Sequence, residues 1–202
     1  MLITFSGVDG SGKSTQIALL EDSLKALNIS TYAIWSRGGY TPGFEYIKSI
    51  LRFTFNKKLP PSGRGAERKK IISNPTISRI WLTAAILDLI FYYGIYIRLK
   101  LFLGTTVICD RYIGDTYLDF SLNFPHINLD KFIAWKFLEI TTPKPDKAFL
   151  ILLPVKESIK RSKLKNEPFP DSIKVLESRL LAYKQFSFFR GDYWCKVDGM
   201  DS

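Results

Sequence analysis

The chain has 202 residues, of which 46% are hydrophobic and 24% charged, the ordinary proportions of a soluble globular protein. This length suits one domain with a hydrophobic core, and we expect a single domain over 1–202. The net charge of +10 fits an anionic partner or a solvated basic surface. The two cysteines, Cys109 and Cys195, lack the paired spacing of a zinc or redox site, so the composition predicts a reducing, cytoplasmic compartment.

A strand, a helix and a second strand are predicted at the start of the chain. Leu2–Ser6 is a short apolar run typical of a buried strand, and Lys13–Leu27 carries apolar residues at helical spacing. Thr31–Trp35 is predicted as the second strand. Because the first strand begins so early, we expect no cleaved signal peptide.

The turn between the first strand and helix, GVDGSGKST, matches the P-loop pattern of phosphate-binding proteins. Its glycines let successive backbone N–H groups point at phosphate oxygens. Lys13 would reach the β- and γ-phosphates, and the hydroxyl of Ser14 would bind Mg²⁺. The turn therefore predicts a site for ATP and Mg²⁺ composed of Gly7, Asp9, Gly10, Ser11, Gly12, Lys13, Ser14 and Thr15.

Two loop-like segments follow the second strand. The first, SRGGYTPG, contains Arg37 and precedes a helical pattern at 44–53. The second, KKLPPSGRGAERKK at 57–70, is rich in Lys and Arg, and we expect a solvated or mobile basic loop. Neither segment has the apolar periodicity of a core element.

The stretch 80–97, IWLTAAILDLIFYYGIYI, is apolar enough and long enough to be mistaken for a membrane span. Asp88 lies in its middle, where a carboxylate costs roughly 2.5–3.5 kcal/mol on insertion scales. We therefore expect a buried helix that contributes to a homodimer interface, and no transmembrane span.

The rest of the chain alternates strands and helices, predicted in order as Thr105–Cys109, Asp130–Thr141, Lys147–Leu153, a helix from Val155, Ser172–Phe188 and Trp194–Val197. Such alternation predicts an α/β fold with a parallel sheet covered by helices on both faces. Ligands of these sheets bind beyond the carboxyl ends of the strands. The P-loop, Arg37, Asp110 and Arg111 all follow strand ends, so we expect them to share one crevice.

Asp110 and Arg111 come directly after an apolar strand, TTVIC. An acid at this place in P-loop enzymes holds Mg²⁺ or its water, although a helix N-cap is an alternative role. Arg111 is a planar cation suited to bridging phosphate oxygens, although a surface ion pair is the alternative there.

Four segments resemble thymidylate kinases in the same order along the chain: FSGVDGSGKSTQ, SRGGYTPG, VICDRY and KVDGMDS. This resemblance implies a P-loop fold with a five-stranded parallel sheet and a mobile lid at about 161–171. It also implies transfer of the ATP γ-phosphoryl group to a nucleoside monophosphate, most simply dTMP. The acceptor of such a reaction is already a phosphate oxygen, so no strong general base is needed.

The resemblance further implies roles for matching residues. Asp9 would accept a hydrogen bond from the acceptor sugar, Arg37 would bind the acceptor phosphate, and Arg111 would lie between the donor and acceptor phosphates. The P-loop has no arginine, so the lid would supply the cation at the γ-phosphate. Arg161 is the first candidate for this catalytic role, ahead of Lys163 and Lys165.

The chain departs from this family on the apolar helix, where Leu87 replaces an arginine that contacts the monophosphate. The residues that read thymine are not identifiable either. Alternatives therefore stay open at this point: a different phosphorylated acceptor, or a regulatory module that binds ATP without transfer. Binding to nucleic acid is supported by net charge alone and is not expected.

Overall fold

The computed structural model describes residues 1–35, 74–165, 171–185 and 194–200. Within these residues the chain forms two compact units. The first unit contains 1–35, 99–118 and the described residues from 144 onward, and the second contains 74–98 and 119–143. Arg37, the predicted helix at 44–53 and the basic loop at 57–70 lie outside the described residues.

The first unit contains a five-stranded parallel sheet with the strand order β2-β3-β1-β4-β5. Its strands are β1 (Leu2–Gly7), β2 (Thr31–Trp35), β3 (Thr106–Asp110), β4 (Lys147–Leu152) and β5 (Trp194–Asp198). The sheet confirms the predicted α/β class and the predicted number of parallel strands. In the centre, Phe5 of β1 is in register with Asp110 of β3 and with Phe149 of β4.

Helices account for most of the remaining described residues: α1 (Lys13–Ala26), α2 (Pro75–Leu89), α3 (Arg98–Phe102), α4 (Ile113–Asn123), α5 (Ile133–Thr141), α6 (Val155–Leu164) and α7 (Ile173–Gln185). A π-helical segment, Ile90–Ile97, joins α2 to α3, and a short 3₁₀ turn at Leu129–Lys131 precedes α5. The sequence predicted α1, α5, α6 and α7, and one long helix from about Pro75 to Leu103 where the structure has α2, the π-helical segment and α3. It missed α4 and merged the 3₁₀ turn with α5.

The central strands β1 and β3 are buried on both faces, which explains their nearly continuous apolar sequences, whereas β5 at the edge of the sheet is largely exposed. One core cluster joins Ile3 and Phe5 of β1 to Ile17 and Leu24 of α1. The other joins Leu150 of β4 to a set from the loop after β1, from α4, from the end of β4 and from α7: Val8, Leu118, Leu153, Leu176, Ala182 and Tyr183. The helices are thus fixed to the sheet by burial of apolar surface.

The second unit is organised around aromatic side chains. Trp81 packs against Phe124 with ring centroids 5.6 Å apart, and Phe120 meets Trp135 edge-on at 6.2 Å. Tyr93 and Trp135 are completely buried. Aromatic pairs of this kind add to the stabilisation that burial alone provides.

The helix from Pro75 to Phe102 begins with Asn74, whose side chain accepts hydrogen bonds from the N–H groups of Thr76 and Ile77. It is 28 residues long, and by length and composition alone it would suffice to cross a membrane. In the described structure 44% of its most apolar stretch is buried inside the protein. Burial is one-sided, since Leu82 and Leu89 are inaccessible whereas Leu87, Phe91 and Ile95 are more than half exposed.

Candidate functional site

The P-loop leaves the carboxyl end of β1 through a turn that only glycine can make. A Cβ atom at Gly7 would lie 2.5 Å from the carbonyl oxygen of Ile151, closer than any real contact. Gly12 has φ +94° and forms the N-cap of α1, where no side chain caps the helix and no acidic residue occupies the first turn. The first N–H groups of α1 therefore form a positive end available to an anion.

Lys13 is buried at the base of the loop. Its Nζ donates hydrogen bonds to the carbonyl oxygens of Gly7 and Val8 at 3.1 and 2.9 Å. Its pKa is lowered to about 8, chiefly by burial and secondly by the charge of Arg111, while three nearby carboxylates oppose the change. A phosphate in the loop would offer the ammonium a stronger, charged acceptor than these carbonyls.

Ser14 and Asp110, the two predicted metal ligands, meet although they are 96 residues apart. Ser14 Oγ donates to Asp110 Oδ2 at 3.4 Å, while Asp110 Oδ1 is buried without a hydrogen-bond partner among the described residues. Burial raises the pKa of Asp110. An orphaned carboxylate oxygen beside a hydroxyl is a donor set that fits Mg²⁺, which takes one or two protein oxygens and completes its shell with phosphates and water.

Arg111 lies beside the loop in an unusual backbone conformation, with φ +72°. Its side chain is 3% exposed, so its ion pairs are buried rather than on the surface. Nη2 donates to Asp9 Oδ1 at 2.5 Å, and Nη1 donates to Asp115 Oδ1 at 3.4 Å. A non-glycine residue in this backbone region stores strain, and such residues cluster at functional sites.

Sequence reasoning missed three residues that contact this cluster: Ser6, Asp115 and Tyr183. Asp115 is completely buried and accepts hydrogen bonds from Ser6 Oγ at 2.5 Å and from the Tyr183 hydroxyl at 2.6 Å. The available signal was the spacing of Arg111 and Asp115, which are four residues apart where α4 begins. No local pattern pointed to Tyr183.

Helix α6, which carries the predicted lid cation, is fastened to the P-loop. Ser158 Oγ donates to the carbonyl oxygen of Asp9 at 2.6 Å. Arg161 Nε donates to Glu157 Oε1 at 3.1 Å, so its guanidinium pairs within the helix. Lys165, at the end of the same helix, lines an open cavity of about 170 Å³ together with the P-loop, Trp35, Asp110 and Arg111.

The structure thus brings together the P-loop residues, Asp110 and Arg111 in one crevice. Of the P-loop residues, Ser11 and Lys13 are buried, whereas Ser14 and Thr15 are exposed. Leu87 of the second unit is 58% exposed and offers no donor to a phosphate. The catalytic and binding roles of these residues stay predictions.

This fold and crevice define a P-loop nucleotide-binding protein of the α/β class. The chain is 30% identical to the thymidylate kinase of Bartonella henselae over 99% of this chain and 88% of the relative. It is 25% identical to the enzyme of Herpetosiphon aurantiacus, of which it covers 77%, and 29% identical to that of Bartonella quintana, of which it covers 81%. No protein-family model matches. The chain belongs to the thymidylate kinase family, and it is a phosphotransferase, as its sequence predicted.

We predict that Gly10→Ala destabilises the protein more than Gly104→Ala does. Both glycines have a left-handed backbone, at φ +75° and +80°, where a Cβ costs roughly 1–2 kcal/mol. At Gly10 the Cβ would also lie 3.1 Å from the carbonyl oxygen of Ser158 and 3.2 Å from Arg161 Cβ, whereas nothing described lies within 4 Å of it at Gly104. Urea unfolding should show an additional loss of about 1–3 kcal/mol for Gly10→Ala. Equal losses would contradict the packing of α6 on the loop.

Proposed function

We propose that the chain transfers the γ-phosphoryl group of Mg-ATP to dTMP, giving dTDP and ADP. It is a nucleoside-monophosphate kinase of the thymidylate kinase family. The relatives are named thymidylate kinases, after the acceptor dTMP. The observation that carries the proposal is the convergence of Lys13, the Ser14–Asp110 pair and Arg111 beyond the ends of β1 and β3. These groups match the charge that phosphoryl transfer must neutralise.

On the donor side, the chain's own groups bind and orient the triphosphate. The free N–H groups at the start of α1 face the phosphates, and Lys13 exchanges its loop carbonyls for the β- and γ-phosphate oxygens. Ser14 and Asp110 would hold Mg²⁺, which neutralises charge on the phosphates when it is bound. Because the described residues contain no cluster of three or more acidic, histidine or cysteine ligands, these residues alone would contribute a partial shell.

On the acceptor side, Arg111 would place its guanidinium between the two reacting phosphates. Its Nη2 binds Asp9 in the described structure, so an entering phosphate competes with this carboxylate. Asp9, once released, would accept a hydrogen bond from the 3′-hydroxyl of the sugar. Arg37, outside the described residues, is proposed to bind the acceptor phosphate.

The cation that reaches the γ-phosphate is proposed to come from the lid segment at 161–171. Arg161 is the predicted residue because its fork of donors suits a phosphoryl group in transit. Its present partner, Glu157, is partly exposed, and an exposed pair of this kind is weak enough to be exchanged for a phosphate. Lys165 is the second candidate, because its side chain already lines the cavity.

A second copy of the chain is the proposed occupant of the exposed apolar face on the second unit. Leu87, Phe91 and Ile95 recur every four residues along one side of α2 and the π-helical segment. Helix α5, which packs beside α2, exposes Ile133, Phe137 and Ile140 as well. A self-complementary apolar face is what a two-fold dimer requires. We also propose a cytoplasmic location, with which the free thiols of Cys109 and Cys195 agree.

The first test of the function is ADP release by the wild-type protein with Mg-ATP and a panel of nucleoside monophosphates. We expect turnover with preference for dTMP and a loss of at least about a hundredfold in Lys13→Ala, because the P-loop ammonium stabilises charge in the transition state. Lys25→Ala, an exposed lysine in the last turn of the same helix, is the matched control and should keep full activity. Absence of turnover with every nucleotide would refute the proposal.

The pKa of Lys13 predicts how ATP binding depends on pH. Bound phosphates favour the ammonium form, so ATP raises this pKa above its value of about 8 in the free protein. Affinity should be constant below pH 8 and should fall above it, approaching tenfold per pH unit. Calorimetry at pH 9 in buffers of different ionisation enthalpy should detect uptake of close to one proton, and Lys13→Met should abolish it. Proton-neutral binding at pH 9 would show that Lys13 does not meet the phosphates.

The dimer is tested by a charge on the apolar face. Phe91→Glu should convert a wild-type dimer into a 23.2 kDa monomer in sedimentation velocity, because burying carboxylates against each other is costly. Leu19→Glu, at an equally exposed leucine of α1, is the control and should remain dimeric. A monomeric wild type that binds lipid vesicles through this face would replace the dimer proposal with a membrane contact.

A further inference from the structure

We propose that Asp115 is a positioning residue for phosphoryl transfer, which with Tyr183 holds the Arg111 guanidinium in place for the reacting phosphates. This inference rests on the proposed function, since it assigns Arg111 to the transfer step. Asp115 itself does not line the cavity, so its influence on the reaction passes through Arg111.

The carboxylate of Asp115 is saturated with hydrogen bonds. Oδ2 accepts from Ser6 Oγ at 2.5 Å and from the N–H of Tyr112 at 3.2 Å. Oδ1 accepts from the Tyr183 hydroxyl at 2.6 Å and from Arg111 Nη1 at 3.4 Å. A carboxylate has about four acceptor positions, and all are used. Its orientation is therefore fixed by groups from β1, from the start of α4 and from α7.

Tyr183 makes a second hydrogen bond to the same nitrogen of Arg111. Its hydroxyl lies 3.3 Å from Arg111 Nη1 and accepts a hydrogen bond from it. The same hydroxyl lies 3.3 Å from the carbonyl oxygen of Gly7, so it also contacts the first residue of the P-loop. Burial raises the pKa of Tyr183, which keeps its proton in place as the donor to Asp115.

The two ends of the guanidinium consequently differ. Nη1 faces Asp115 and Tyr183, each 1% exposed, whereas Nη2 faces Asp9, whose side chain is 21% exposed and lines the cavity. A phosphate that enters the cavity meets the Nη2 end and exchanges with Asp9. The Nη1 end stays fixed, so Arg111 keeps its direction during the exchange. The buried negative charge of Asp115 also offsets the buried positive charge of Arg111.

The kinetic test is Asp115→Asn, which preserves the size of the side chain and removes its charge. We expect kcat to fall about ten- to a hundredfold, with the KM for ATP changed less than about threefold, because the lost charge-assisted bonds orient a group that acts in the transition state. Tyr183→Phe keeps the buried ring and should lower kcat about three- to tenfold. Asp146→Asn, at a carboxylate that accepts from the N–H of Leu2 in the same unit, is the control and should keep wild-type kinetics.

Coupling to Arg111 separates positioning from a general structural effect. In an Arg111→Lys background the guanidinium fork is absent, so adding Tyr183→Phe or Asp115→Asn should change kcat less than about twofold. The same fold-loss in both backgrounds would overturn the inference, because it would show that the residues act independently of Arg111.

A measurement without turnover distinguishes failure of this inference from failure of the proposed function. Nitrogen-15 NMR of the Arg111 side chain should show hindered rotation of the guanidinium in the wild type and averaged signals in Asp115→Asn and Tyr183→Phe. Unchanged signals in both folded variants would refute positioning even in an active kinase. Hindered rotation in a wild-type protein that transfers no phosphoryl group, together with averaged signals in the two variants, would uphold the positioning and refute the function.

Discussion

The parallel pairing of β1 with β3 fixes where every charged group of the site can lie. Phe5 of β1 stands opposite Asp110 of β3, so the P-loop and the Asp110–Arg111 pair leave the sheet at the same level. The N–H of Arg111 donates to the carbonyl oxygen of Phe5, which continues the pairing by one residue past the strand. From this point the loop turns toward α1, while Arg111 adopts a left-handed backbone conformation, and the crevice opens between them. A slip of this register by one residue would reverse the faces of β3 and separate the ligands.

Around the crevice, buried cations are paired with carboxylates, because a buried charge without an opposite partner would be strongly destabilising. Lys13 and Arg111 are both nearly inaccessible, and Asp9, Asp110 and Asp115 surround them. Desolvation lowers the pKa of Lys13 and raises that of Asp110, which are opposite directions with one physical cause. Both shifts mean that burial disfavours the charged forms of Lys13 and Asp110 while no ligand is bound. A polyanion with a divalent cation would relieve both, since it provides a partner for the ammonium and for the orphaned carboxylate oxygen.

The parts of this arrangement that the sequence predicted are those that depend on local chemistry. The P-loop pattern, the apolar strands and the Asp110–Arg111 pair after β3 can each be recognised from a stretch of about ten residues. Helix α4 was missed because IGDTYLDFSLN mixes buried polar residues, such as Asp115 and Thr116, with its apolar ones. Tyr183 and Asp115 are 68 residues apart, and only the folded chain shows that they bond. The same applies to the close approach of α6 to Gly10, which adds to the requirement for glycine that the left-handed backbone of the loop already sets.

The fastening of α6 to the P-loop also bears on how quickly the site can respond to a bound nucleotide. Ser158 fixes one turn of the helix to the carbonyl of Asp9, and Arg161 follows on the next turn with its Cβ close to Gly10. The backbone of Arg161 is therefore held close to the P-loop, so its guanidinium would reach a phosphate bound there by rotation about its own side-chain bonds. Rotations of partly exposed side chains take picoseconds to nanoseconds, whereas collective hinge motions take microseconds to milliseconds. In the proposed role of Arg161, capture of the γ-phosphate would therefore be a fast local event rather than a collective closure.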